Sequence, residues 1–213
     1  MIRIAVSKGR VAKQALEQLK AFGYTFSTFP ERQLWAVDDL DQLELIFLKA
    51  QDVPLYVEKG VADLGIVGED VLRENPLTLY SLLNLNIGHC QMCLAGSPDV
   101  IPDDIPYLRL ASKYPNIARA YLEDQAQSGA VMTLQGSVEL APLLGISDLI
   151  VDLVESGQTL AAHDLVVHKV LFEVSATLIA NQNLYALKRH LLEPFINAWS
   201  YHISEKEQAY ETL

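Results

Sequence analysis

Ser156-Gly157-Gln158-Thr159 stands one residue past an apolar run, Leu149 to Val154, that carries a single acid, Asp152. The run has the length and composition of a buried strand. The four residues after it suit an anion. A glycine brings no Cβ between backbone N–H groups and a phosphate, and Ser156 and Thr159 add hydroxyl donors. A short helix opening near Thr159 would point its unpaired N–H groups at the same spot. Asp152, near the end of the strand, is placed to accept from a ribose diol. The plainer alternative is an ordinary strand-to-helix turn with a glycine and a capping threonine.

Other residues could do related chemistry. Ser7-Lys8-Gly9-Arg10 follows the apolar run Ile2 to Val6, so two cations flank a glycine where a strand hands over to a helix. Arg32 has the planar fork that suits phosphate oxygens, and Lys49 follows a third apolar run, Leu43 to Leu48. Many lysines and arginines are simply solvated surface charges, and for Lys49 both readings stand. Asp70, after Gly68-Glu69, is either a reader of an amino group or an acid paired with a helix N-terminus. Glu139 carries the same two alternatives, and Tyr114 is either a site residue or a half-buried aromatic. The five histidines fit no metal spacing. Cys90-Gln-Met-Cys93 falls in a strand pattern, where residues three apart face opposite sides, so two structural thiols are expected rather than a redox pair.

Upstream of the apolar run lies Glu139-Leu-Ala-Pro-Leu-Leu-Gly145-Ile-Ser147, so the whole string is Glu, five residues, Gly, x, Ser, strand, Asp152, then Ser-Gly-x-Thr-Leu. An acid followed by hydroxyl-Gly-x-Thr is the form of a phosphoribosyl-diphosphate (PRPP) site, and the longer string resembles the signature of the ATP phosphoribosyltransferase family. Ser7–Arg10, Gln51–Leu72 and Ala111–Tyr121 resemble the same family, and the likeness runs from about Ile2 to Ile179. Salvage phosphoribosyltransferases place two adjacent acids before the loop, whereas Asp152-Leu153-Val154-Glu155 has none adjacent.

The resemblance implies joining of ATP and PRPP to N1-(5-phosphoribosyl)-ATP and pyrophosphate, the first step of histidine biosynthesis, with Mg²⁺. Carried over residue by residue, it assigns Glu139, Asp152, Ser156, Gly157, Gln158 and Thr159 to PRPP, with Mg²⁺ held through Asp152. Ser7, Gly9, Lys49, Asp70 and Tyr114 fall to ATP. Lys8, Arg10 and Arg32 become the catalytic cations, Arg32 reaching the leaving pyrophosphate within its own subunit or across a dimer. Rival readings are a non-catalytic ligand-binding module of the same fold and a salvage phosphoribosyltransferase.

The elements that must position these residues alternate. Helical spacing covers Val11 to Phe22, with Gly23 as its stop, and Asp52 with Pro54 opens a helix that Gly60 closes. Strands are expected at Ala62–Val67, Leu79–Asn86, Ile87–Leu94, Leu108–Ala111, Ala130–Leu134, Leu149–Val154 and Leu165–Val174. Helices fall at Glu69–Glu74, Asn116–Gln127, Val138–Leu144 and, as one long segment, about Leu184 to Lys206. The alternation predicts an α/β protein with largely parallel sheets. The resemblance implies a two-lobed, periplasmic-binding-protein-like fold with the active site in the interlobe cleft. Lobe one, on the ATP and pyrophosphate side, would be residues 1–90 plus 177–213; lobe two, with the 5-phosphate loop, would be 91–176.

The chain has 213 residues, half of them hydrophobic, enough for sizeable cores. Its net charge of −11 argues against nucleic acid or an anionic membrane as partner. Residues 1–50 nevertheless carry seven Lys/Arg against six Asp/Glu, and the remainder nine against twenty-one, so the cations needed for polyphosphates concentrate early. No run of 18 apolar residues and no secretory leader is evident, so a cytoplasmic protein is expected. By length the chain resembles the family's short form, whose members form homodimers within a hetero-oligomer with a histidyl-tRNA-synthetase-like regulatory subunit.

Overall fold

The computed structural model describes residues 1–26 and 34–211, with side chains as far as residue 205. The strands are β1 Ile2–Ser7, β2 Trp35–Val37, β3 Leu43–Leu48, β4 Leu64–Gly68, β5 Leu79–Asn84, β6 Cys90–Gly96, β7 Leu108–Ser112, β8 Gly129–Thr133, β9 Leu149–Val154, β10 Val166–Val174 and β11 Ala176–Asn181. The helices are α1 Arg10–Ala21, α2 Val53–Glu58, α3 Glu69–Glu74, α4 Pro115–Asp124, α5 Leu140–Leu143, α6 Gln158–Ala161, α7 Gln182–Leu187 and α8 Arg189–Glu211. No helix of the described residues is long and apolar enough to cross a membrane.

The chain divides into two compact units. Unit one is Met1–Leu72, Pro76–Gly88 and Ser175–Leu213; unit two is Arg73–Asn75 and His89–Val174. The sequence had placed the divisions at 90/91 and 176/177.

Unit one holds a six-stranded sheet in the order β2-β3-β1-β4-β11-β5. Its centre is parallel, with β1 between β3 and β4. β11 enters antiparallel between β4 and β5. α1 lays Ala12, Ala15, Leu16 and Leu19 on one core, together with Leu192, Phe195, Ile196, Trp199 and Ile203 of α8. Those α8 positions recur at helical spacing, so one face is buried and the other stays wet. Trp199 is fully buried, and its indole N–H donates to Gln18 Oε1 at 2.9 Å. Gln18 Nε2 in turn donates to the Leu85 carbonyl at 2.8 Å, so both buried polar groups are satisfied.

Unit two is a five-stranded sheet, β10-β6-β9-β7-β8, parallel only across β9-β7-β8. Alternating side chains supply two cores. Met92, Leu94, Leu108, Leu110, Leu149 and Val151 meet Ile117, Ala118 and Leu122 of α4. Ala95, Ala111 and Ile150 meet Ala141 of α5 and Leu160 of α6.

Several expectations need correcting. The sheets are mixed rather than largely parallel. Leu79–Asn86 and Ile87–Leu94, consecutive in sequence, fall in different sheets: β5 joins unit one and β6 joins unit two. Strands β2 and β11 were not anticipated; only Ser175 separates β10 from β11, and no turn residue marks the change of sheet. Asp52 does not cap α2 through its side chain. A 3₁₀ turn over Ala50–Asp52 runs straight into the helix and already gives Asp52 helical dihedrals. The expected long C-terminal helix is two, because Asn181 caps α7 through Asn183 and Leu184 N–H, and Lys188 then leaves helical geometry. Cys93 is buried and Cys90 half-buried, and no disulfide joins them.

Candidate active site

β9 sets the depth of the first site. Leu149, Ile150 and Val151 are buried, and the strand rises toward solvent from Asp152 onward. Gly157 then takes φ +71° and ψ 0°, and α6 begins at the next residue. Nothing lies within 4 Å of the position a Cβ would occupy there, so conformation rather than crowding selects glycine. Ser156, Gln158 and Thr159 are exposed around it. With Asp152 and Glu139 they line a pocket of about 330 Å³ whose other walls include Ala95, Ile150 and Leu160. That is near the lower end for small-molecule sites. The sequence string from Glu139 to Thr159 therefore converges on one cavity.

The electrostatics of the pocket are tense. The Asp152 carboxyl is pushed above the ordinary carboxylate range, chiefly by burial and further by the negative charge of Glu139. The N–H of Leu153, which donates to Asp152 Oδ1 at 2.8 Å, and the charge of Lys113 pull the other way. Glu139 occupies the N-cap position of the four-residue α5 but makes no capping bond with its side chain. Lys113, which the sequence reading did not single out, is not part of the pocket wall but lies beside Asp152. It follows Ser112, which is level with Val151 across the parallel β7–β9 pair, so Lys113 comes level with Asp152. The signal was present in Ser-Lys-Tyr-Pro, but only the register shows which residue it adjoins.

Unit one gathers a second set at the carboxyl ends of its parallel strands. Ser7, buried, ends β1 opposite Leu48 of β3. The Lys8 N–H donates to the Leu48 carbonyl at 2.8 Å, and exposed Lys49 follows directly. Gly9, at φ +92° and ψ −140°, precedes α1 with open space on its Cβ side. Arg10 opens α1 and its Nη2 donates to the Gly88 carbonyl at 3.3 Å. Asp70, buried, stands in the first turn of α3 after β4. In open α/β sheets, ligands bind outside the carboxyl ends of the strands. Arg32 lies outside the described residues. Tyr114 is buried in the core of unit two with Met92, Leu110 and Ile117, and it does not line the Asp152 pocket. Among the described residues no group of three or more His, Cys, Asp or Glu could hold a metal ion.

The fold and the pocket together define a class: a two-sheet α/β protein with the fold of solute-binding proteins that carries a Ser-Gly-x-Thr turn at a strand's carboxyl end. The periplasmic aliphatic sulphonate binding protein SsuA from Escherichia coli shares that fold at 12% identity and a TM-score of 0.62, over 99% of this chain and 75% of its own. Sequence relatives narrow the class. The family model described as HisG, ATP phosphoribosyltransferase, matches residues 49–200. A protein named ATP phosphoribosyltransferase from Alkaliphilus metalliredigens is 41% identical over 92% of this chain and 95% of its own. One of the same name from Caldicellulosiruptor bescii is 45% identical over 90% and 94% respectively. The ATP phosphoribosyl transferase (HisG:HisZ) complex from Thermotoga maritima superposes with a TM-score of 0.82 at 31% identity, covering 96% of this chain and all of that one. The chain belongs to the ATP phosphoribosyltransferase family, pentosyltransferases that make N1-(5-phosphoribosyl)-ATP and pyrophosphate from ATP and PRPP at the start of histidine biosynthesis.

Proposed function

We propose that the Asp152 pocket is the PRPP subsite of this transferase and that the strand ends of unit one serve ATP and the leaving pyrophosphate. The observation that carries the first half is the convergence of Asp152, Glu139 and the turn around Gly157 on one cavity. Backbone N–H groups and the hydroxyls of Ser156 and Thr159 would hold the 5-phosphate. Asp152, with Glu139, would accept from the ribose hydroxyls. Lys8 and Arg10, with Arg32, would bear the charge that grows on pyrophosphate as the C1–oxygen bond breaks and N1 of adenine bonds to C1. Ser7, Gly9, Lys49, Asp70 and Tyr114 remain assigned to ATP, Tyr114 through the placement of its backbone. The chemistry is positioning and electrostatics; a ring-nitrogen nucleophile with a lone pair needs no strong base.

Mg²⁺ fits the donor set. It is commonly bound by one or two carboxylates together with substrate phosphates rather than by an all-protein cage, and Asp152 with Glu139 offers such a pair. When bound it would neutralise the diphosphate. Burial raises the Asp152 carboxyl, and a cation bound beside it would oppose that shift.

The chain would work as a homodimer within a hetero-oligomer with a synthetase-like regulatory subunit, and the likeness to the Thermotoga maritima HisG:HisZ complex supports the hetero-oligomer. The absence of a membrane-crossing helix among the described residues is compatible with a cytoplasmic place of work.

Thr159→Ala tests the subsite. One lost charge-assisted hydrogen bond is worth about 1.5–3 kcal/mol, roughly ten- to a hundredfold in affinity. Titration should show that loss for PRPP and little change for ATP. Equal losses would remove the loop from the 5-phosphate.

A further inference from the structure

We infer that Lys113 is a PRPP-binding residue whose ammonium meets the diphosphate end of the substrate beside Asp152. The inference rests on the assignment of the Asp152 pocket to PRPP.

The backbone of Lys113 is fixed from both sides. On one side, the buried Ser112 hydroxyl donates to the Val151 carbonyl at 2.5 Å and accepts the Tyr114 N–H at 2.8 Å, tying the end of β7 to β9. On the other, Tyr114 is anchored in the core and α4 begins at Pro115. The start of that helix is held by the buried Glu74 carboxylate, which accepts from the N–H of Asn116 at 3.0 Å and of Ile117 at 3.1 Å. Asn116 Nδ2 donates back to the Glu74 carbonyl at 2.9 Å. A lysine on an anchored turn loses less freedom on binding than one on a loose loop.

The side chain of Lys113 is half-buried, and its ammonium lies 6.0 Å from the Tyr114 ring centroid. Among the described residues it makes no ion pair, yet it acts on Asp152 through its charge. The pocket needs such a cation. Its walls carry Glu139, Asp152 and Glu155, three acids around a site meant for a polyanion. The turn around Gly157 accounts for the 5-phosphate. Lys113 stands on the β7 side of Asp152 rather than in that turn, which leaves it for the other charged end of PRPP.

The experiment compares two ligands on the full chain in Mg²⁺ buffer: PRPP, and ribose 5-phosphate, which lacks the diphosphate. Lys113→Met should weaken PRPP about ten- to a hundredfold at low salt while leaving ribose 5-phosphate unchanged. Lys113→Arg should recover most of the PRPP affinity. The deficit should shrink as salt rises, which a merely structural role would not produce. Thr159→Ala, run alongside, should weaken both ligands. If Lys113→Met weakens both ligands equally, or neither, the inference is overturned. If Thr159→Ala also spares both, the assignment of the pocket falls with it; if Thr159→Ala behaves as expected, that assignment stands without Lys113.

Discussion

The two units use the same device with opposite chemistry. Each has three adjacent parallel strands, β3-β1-β4 in one and β9-β7-β8 in the other, and each puts its candidate residues just past their carboxyl ends. In unit one those residues are mainly cationic: Lys8, Arg10 and Lys49, with Asp70. In unit two they are acids and hydroxyls: Glu139, Asp152, Ser156 and Thr159. On the proposed assignment a cation edge would serve departing charge, which is greatest in the transition state, and a turn of N–H groups would serve a phosphate that the reaction leaves unchanged. Topology fixes where a ligand can bind, and side chains at a few positions decide what it is.

The largest effect that would sharpen this contrast is structural. Trp199→Ala should cost about 3–5 kcal/mol, because it leaves a cavity and orphans Gln18 Oε1. Every contact named for Trp199 is in unit one. Limited proteolysis during a thermal ramp should therefore show unit one opening first, with residues 89–174 still protected. Simultaneous loss of both would mean the units share one cooperative transition.

Next comes chemistry. Lys8→Met should lower turnover with saturating substrates, by about 2.7–4 kcal/mol if its charge stabilises departing pyrophosphate. PRPP affinity should change little. An unchanged turnover number would return Lys8 to the solvated surface.

Smaller, and opposite in sign, is the expected response to Asp152→Asn. Burial and Glu139 oppose the Asp152 charge, so removing that charge should stabilise the free protein by about 1 kcal/mol while PRPP binding is lost. A lower melting temperature in the variant would show that Asp152 is better satisfied than the geometry indicates.

The smallest effect concerns the amino-terminal end of β7 in unit two. Arg109 grips Asp148, Nη2 to Oδ1 at 2.6 Å, and the guanidinium together with the Arg109 N–H holds the Asp148 carboxyl below its ordinary range. A depressed folded-state value contributes stability that is present above the unfolded value, near 3.8, and lost as pH falls through the folded one. The pair is largely exposed, so the contribution is small. Arg109→Ala should lower the melting temperature slightly at neutral pH and converge with the parent in acid. A difference that persists at low pH would point to packing instead.

The string from Glu139 to Thr159 was legible in the sequence because it is nearly contiguous: one strand, one turn and the helix before them. β9 and α3 run over the expected residues, and the short helix after Gly157 is present. Lys113 was not legible, because its closeness to Asp152 depends on the register of two strands about forty positions apart, and no local pattern encodes that. β11 escaped for a related reason. Val166 to Asn181 reads as one extended stretch, and the single residue at which it leaves one sheet for the other, Ser175, has no distinctive turn chemistry. Asp52 misled because a cap signature assumes extended backbone, and here a 3₁₀ turn precedes the helix.

The position of β11 also governs when each unit can be completed. It lies between β4 and β5, and those two strands have no bonds to each other across the gap. Until residues 176–181 leave the ribosome, the first 88 residues hold two facing sheet edges open. All five strands of unit two lie within residues 90–174. Unit two can therefore complete its sheet before unit one, although its synthesis begins later. Open edges invite pairing with other chains, so the interval between translation of β5 and of β11 is the stretch of this protein's life in which aggregation is the greatest hazard.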